Sequence, residues 1–266
     1  MNRLMQRLIK AIRFSRFAIV EGLRWYKRHG RLPRKAECAD LFRKAFFRFK
    51  ILAQRISPAP KTIEPVLPPY DAWLKVNVWN RRMRDDLLDR LSRHAGRLPT
   101  ISLVMPVHNP PLECLTKAID SVRAQVCGEW ELCIADDCST NPAIRDELER
   151  FRAEDPRIRL TYLERNLNIS LATNRAADLA TGEFLLFFDH DDELTPDAVG
   201  EAALYLAEHP EIDALYSDDD KIDSAGKRYA PQFKPDWSPE LLLSYMYMSH
   251  IFVVRRSLFE TVGAMR

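Results

Sequence analysis

From residue 101 onward, apolar and polar positions alternate between two periods. Short apolar runs at 101–105, 131–135, 158–163 and 183–188 read as strands. Between them, 112–125, 143–153 and 171–180 carry apolar residues at helical spacing. Strand, helix, strand in strict succession is the pattern of right-handed βαβ units, so this part of the chain is expected to form an α/β domain. Its mainly parallel sheet would be covered by helices on both faces. A further strand is expected at 214–216. Upstream, 70–93 carries Trp73, Leu74, Val78, Leu87, Leu88 and Leu91 on a helical pattern and offers a face to pack against the body.

Ligands of parallel sheets bind beyond the carboxyl ends of the strands. Three strand ends carry polar groups here: Pro106-Val107-His108-Asn109, Asp136-Asp137-Cys138-Ser139, and the cluster Asp189, His190, Asp191, Asp192 and Glu193 that follows FLLFF at 184–188. Carboxylates crowded this closely repel one another and resist burial, and hard oxygen ligands suit Mg²⁺ or Mn²⁺. The simpler reading is a helix start, with Thr195 as N-cap and Pro196 at the first helical position. That accounts for Thr195 but leaves Asp189 and Asp191 unexplained. No GxGxxG and no Walker-type glycine loop occurs, which leaves a nucleotide held by side chains and a metal as the ligand this rim suits.

Charge is distributed unevenly. Residues 1–56 hold 16 of the 40 Lys and Arg but only 3 of the 38 Asp and Glu, which leaves 24 basic against 35 acidic residues in the remainder. A basic arm is therefore joined to an acidic body. In the arm, Leu4, Leu8, Ile12, Ile19 and Leu23 recur near helical spacing among arginines and lysines. Such a segment suits an anionic membrane surface, a nucleic acid or a solvated helical hairpin. No uncharged run in it approaches the roughly 20 residues that span a bilayer, and no signal-peptide core is evident, so a cytoplasmic location is expected. The segment SPAPKTIEPVLPP at 57–69 reads as a semi-rigid linker. The expected organisation is thus an arm over 1–56, a linker over 57–69 and a body domain over 70–266. Five cysteines without a CxxC pair argue against both a zinc site and a disulfide framework.

Three motifs in order and spacing carry a resemblance: ISLVMPVHN at 101–109, ELCIADDCST at 131–140, and NLNISLATNRAADLATGEFLLFFDHDDELTPDA at 166–198. Together they resemble the inverting family 2 glycosyltransferases. The segments YSDDDKID at 216–223 and FKPDWSPELL at 233–242 are similar to the branch that makes bacterial O-antigen and rhamnan-type polysaccharides. The resemblance implies a GT-A fold with a nucleotide-sugar over the first half of the sheet. It places Pro106, His108 and Asn109 at the start of the nucleoside pocket. Asp137 would accept hydrogen bonds from a pyrimidine base, while Asp136 orders the loop. Asn168, Ser170 and Asn174 would line the nucleotide and phosphate region, with N-capping as the equally ordinary role of Asn168 or Ser170. Asp189 and Asp191 match the DxD pair that holds Mg²⁺ or Mn²⁺, and Asp192 supports that shell. Asp218 and Asp219 would reach the donor sugar or the acceptor entrance, or else, with Asp220, form a solvated acidic turn. His250 reads as a packing histidine.

The implied reaction is metal-assisted, inverting transfer of a sugar from a UDP- or dTDP-sugar to a lipid-linked or oligosaccharide acceptor. The arm would then lie on the anionic inner face of the membrane, not on nucleic acid. In relatives, the acidic general base follows a segment similar to 262–266, so it is expected beyond Arg266. A chain without that base would be a nucleotide-sugar-binding or scaffold protein. Sugar-nucleotide pyrophosphorylases need a glycine-rich, basic loop after the first strand, where this chain reads HNPPLE at 108–113.

Overall fold

The computed structural model describes residues 70–266; the basic arm and the proline-rich linker lie outside the described residues. Two helices come first, α1 (Tyr70–Asn77) and α2 (Arg81–Arg93). The single helix expected over 70–93 is broken at 78–80, because the Asn80 side chain accepts from Met83 N at 3.2 Å and starts a new helix.

The body then runs β1 (Ile101–Val107), α3 (Leu112–Arg123), β2 (Trp130–Asp136), α4 (Pro142–Glu154), β3 (Ile158–Tyr162), α5 (Asn168–Ala177), β4 (Phe184–Phe187), α6 (Ala198–Glu208) and β5 (Ala214–Tyr216). A hairpin of β6 (Asp219–Ile222) and β7 (Arg228–Gln232) follows, then α7 (Pro239–Ser244), β8 (Phe252–Arg255) and α8 (Arg256–Thr261). Six strands form one sheet in the order β3-β2-β1-β4-β8-β5, while β6 and β7 form a separate two-stranded sheet. The first four strands are parallel, and β8 lies antiparallel between β4 and β5.

Chain direction across this sheet positions the site. The path leaves β1 for β2 and β3 on one side, then returns to add β4 on the other. The strand order therefore reverses at β1, and the crevice beyond the carboxyl ends of β1 and β4 is where such a sheet binds ligands. Both faces are covered, which is why β1 and β2 are buried along their whole length. Leu103 and Met105 pack with α3, α4 and α6, whereas the intervening Val104 packs with Ala176 of α5 and Phe259 of α8.

Two helix starts differ from the sequence reading. α6 begins at Ala198, not after Thr195, because its N–H groups are capped from another element: buried Gln125 accepts from Val199 N at 2.9 Å and donates to Thr195 O at 2.8 Å. Ser121 accepts from Leu194 N at 3.0 Å, so α3 and the residues just after it hold the stretch that follows the acidic cluster. α5 begins at Asn168, three residues earlier than its periodicity suggested, with φ +67° at that residue.

The cysteines within the described residues are all free, and burial pushes the Cys133 thiol up to about 12, which keeps it protonated and inert.

At the opposite, amino end of the strands, buried Glu131 ties three of them together. It accepts from Ser102 Oγ at 2.6 Å, Thr181 N at 2.5 Å and Gly182 N at 3.1 Å, and pairs with Arg159 at 3.1 Å. Gly182 is required there, since a Cβ would lie 2.5 Å from the Thr100 carbonyl oxygen. Burial alone would raise the Glu131 pKa, but the bonds from Ser102, Thr181 and Gly182 outweigh it and hold the carboxyl below its usual value. A carboxylate depressed in the folded state contributes stability above its unfolded pKa and loses it as pH falls through the folded one. Glu131→Gln is therefore expected to cost about 1–3 kcal/mol at pH 7. In urea titrations the gap from wild type should close as pH falls below the ordinary glutamate value of about 4.3.

Candidate active site

The crevice at the reversal point is built from three strand ends. Beyond β1, His108 Nδ1 lies 2.8 Å from the Asp137 carbonyl oxygen, and the Pro106 carbonyl lies 3.2 Å from His190 Nδ1, which links the end of β1 to both neighbours. Asn109 has φ +47°, and its Oδ1 accepts from Thr140 N at 2.8 Å. Its own N–H donates to Ser139 Oγ at 3.0 Å. Asn109 thus braces the loop after β2 and does not line the crevice.

Beyond β2, both aspartates are buried. Asp136 Oδ1 accepts from Ser139 N at 3.2 Å and orders its own loop. Asp137 Oδ1 accepts from Leu167 N at 2.6 Å, which fixes the approach to α5. Asp137 also lines a cavity of about 350 Å³ together with Pro106, His108, Asn168, Asp189 and Asp191.

Asn168 and Ser170 make no capping bond at the start of α5. Ser170 Oγ donates to the Arg266 carbonyl at 3.0 Å, and Asn174 exchanges bonds with the Met265 backbone at 2.9 and 3.0 Å. These two side chains hold the segment 265–266 against α5. Ser170 lines a second, apolar cavity of about 220 Å³, with Ile169, Phe187, Asp189, Met246 and His250. Asn174 lines neither cavity.

Beyond β4, ligand-type atoms of Asp189, Asp192 and His250 lie within 4.8 Å of one another. Asp191 is outside this group and faces both the 350 Å³ cavity and a third, polar one of about 540 Å³. His250 is therefore not packed in the core as its apolar neighbours suggested: its ring is about half exposed, 3.2 Å from Asp192 and 3.9 Å from Asp189. Asp192 Oδ2 is shielded from solvent, and the short approach of His250 lacks hydrogen-bond geometry, so that oxygen has no donor. Burial pushes the Asp192 pKa up; His250 opposes this, while Asp189, Asp191 and Asp219 add to it. A buried carboxylate oxygen without a donor, beside a second carboxylate and an imidazole, fits a divalent cation.

Asp218 and Asp219 line the 540 Å³ cavity, yet each also has a partner within the protein. Asp218 Oδ1 accepts from Lys234 N at 2.7 Å, and Asp219 Oδ2 pairs with Lys234 Nζ at 2.7 Å. Asp220 pairs with Arg228 at 2.6 Å. These acids form a bonded junction, not a solvated turn. His250 and Lys234 were missed as site residues because only pairing of distant segments brings them to the cluster.

The three cavities share their walls in pairs. Asp189 stands between the first and second, Asp191 between the first and third, and His250 between the second and third. A profile described as glycosyl transferase family 2 matches residues 102–263.

The chain belongs to glycosyl transferase family 2.

Among its relatives, the "O-antigen biosynthesis protein RfbC" of Myxococcus xanthus is 38% identical over 203 residues, covering 76% of this chain and 16% of that protein. The uncharacterized protein y4gI of Sinorhizobium fredii is 42% identical over 194 residues, covering 72% of this chain and 21% of that protein. This family 2 chain thus spans at most about a fifth of the length of these curated relatives. Among solved structures, S. aureus TarS 1–349 superposes with a TM-score of 0.50 at 27% identity, covering 61% of this chain and 49% of that one. The mainly parallel sheet with helices on both faces is accordingly the GT-A fold that the motifs implied.

If Asp192 is held in the site against its own electrostatics, Asp192→Asn should raise the stability of the metal-free protein by about 1 kcal/mol, or 2–4 °C in Tm. The same change should weaken Mn²⁺ binding at least tenfold by calorimetry. A metal-free variant less stable than wild type would contradict this account.

Proposed function

We propose that the body over 70–266 is the donor-binding and transfer domain of a glycosyltransferase in cell-surface polysaccharide synthesis. The observation that carries this reading is the meeting of three cavities on Asp189, Asp191 and His250 at the strand-order reversal. In this reading the 350 Å³ cavity takes the nucleoside of a UDP- or dTDP-sugar, with Asp137 and His108 at the base and Asn168 toward the ribose and phosphates. The TarS domain was also solved in complex with UDP-GlcNAc, which supports a nucleotide-sugar as the class of donor. Donor sugar and acceptor would meet in the 540 Å³ cavity, where the aromatic Tyr245 and the acids Asp218 and Asp219 offer a stacking face and hydrogen-bond acceptors.

Asp189, Asp192 and His250 would hold Mg²⁺ or Mn²⁺, with Asp191 on the wall between the first and third cavities. Such a cation, when bound, offsets the charge that develops on the departing diphosphate. The protein's own contribution is to fix these groups in advance on buried strands, so that little reorganisation accompanies bond breaking. For inversion, the acceptor oxygen bonds to the anomeric carbon as the bond to the diphosphate oxygen breaks, and the acceptor proton passes to a base on the opposite face. We assign that base to none of the described residues.

The basic arm over 1–56 is proposed to rest on an anionic membrane surface, which would bring a lipid-linked acceptor to the domain. Its charge supports this. Among the described residues no helix is long and apolar enough to cross a membrane.

Calorimetry with UDP and dTDP, with and without Mn²⁺, tests the reading. One of the two should bind in a metal-dependent way, and Asp189→Ala should weaken that binding by 10-fold or more while leaving the circular dichroism unchanged. Absence of nucleotide binding by the folded protein would overturn the reading.

A further inference from the structure

His250 reaches the acidic cluster from a segment that belongs to neither β4 nor the loop after it, so something must hold it there. Three groups from the junction of β5, β6 and β7 grip the backbone at 250–251. Asp219 Oδ2 accepts from His250 N at 3.3 Å, and Lys234 Nζ donates to His250 O at 2.8 Å. Ser217 closes the grip, its Oγ accepting from Ile251 N at 3.3 Å and its N–H donating to Ile251 O at 3.2 Å.

Lys234 is the keystone of this arrangement. Its side chain is 3% exposed, and its ammonium bridges the Asp219 carboxylate at 2.7 Å and the His250 carbonyl. A buried ammonium without partners is costly, so Lys234 is stable only while both acceptors stay where they are. Its backbone N–H is also anchored, on Asp218 Oδ1 at 2.7 Å. The second, two-stranded sheet is thereby fastened to the residue that faces Asp189 and Asp192.

We propose that Lys234, acting with Asp219, is a positioning residue that sets the His250 imidazole against the Asp189 and Asp192 carboxylates. It touches neither the proposed cation nor the donor and works only through His250. The inference rests on the metal reading above.

The test uses the full chain and Mn²⁺ alone, with free Mn²⁺ followed by its electron paramagnetic resonance signal. Lys234→Met keeps the length of the side chain and removes its charge. It is expected to weaken Mn²⁺ binding 10–100-fold, the effect usual for groups that orient a ligand residue. In a His250→Ala background, adding Lys234→Met should change affinity less than about twofold, because a residue acting only through His250 has nothing left to position. A general structural role would instead give the same loss in both backgrounds. Should Lys234→Met fail to fold, Asp219→Asn replaces it in the same cycle, since the amide oxygen still accepts from His250 N but no longer carries the charge that neutralises the ammonium. Wild-type affinity in the folded variant, or equal losses with and without His250, overturns the inference. A wild-type protein that binds no Mn²⁺ overturns it together with the metal reading, and that failure is visible before any variant is compared.

Discussion

Repulsion among carboxylates at the end of β4 governs the architecture around it. Asp189, Asp191 and Asp192 leave the strand within four residues, and Asp219 approaches from the hairpin side closely enough to raise the Asp192 pKa further. Such a group is unstable in isolation. It persists because each acid is attached to a segment that other groups hold: β4 is packed on both faces, Ser121 of α3 and Gln125 just after that helix clamp the following loop, and Lys234 neutralises Asp219. One oxygen of Asp192 is shielded from solvent and left without a donor, and on that feature the proposed cation site rests.

The two ends of the sheet divide the labour. At the amino ends, Glu131 binds Ser102, Thr181 and Gly182 in a closed network whose acceptors and donors are matched. At the carboxyl ends, one shielded oxygen of Asp192 has no donor, and cavities lie between the polar groups. A rigid base lets the other end keep an unsatisfied group at a fixed position. That is the condition for a preorganised site, in which the protein and not the substrate has already met the cost of ordering the charges.

Much of the fold was legible because buried parallel strands are written as uninterrupted apolar runs, and every strand expected between 101 and 188 is present. Helix boundaries were less so. α6 takes its cap from Gln125, some 70 residues away in sequence, and a local pattern such as Thr195-Pro196 cannot report that. The break between α1 and α2 was readable in principle from Asn80, a favoured capping residue, but the apolar pattern runs through it.

The sequence by itself determined that acids would stand at strand ends facing one rim, since the period of the apolar residues and the abrupt onset of Asp189 require only local geometry. It also determined the family, through the order of three motifs. Which acids converge was decided by tertiary structure alone. Asp192 joins Asp189 while Asp191 turns toward the neighbouring cavities, and His250 and Lys234 arrive from the segments just before β8 and just after β7. The reason is physical: a strand's periodicity specifies which face a side chain takes, but the distance between groups on different segments depends on how those segments pack, and no local pattern encodes that packing.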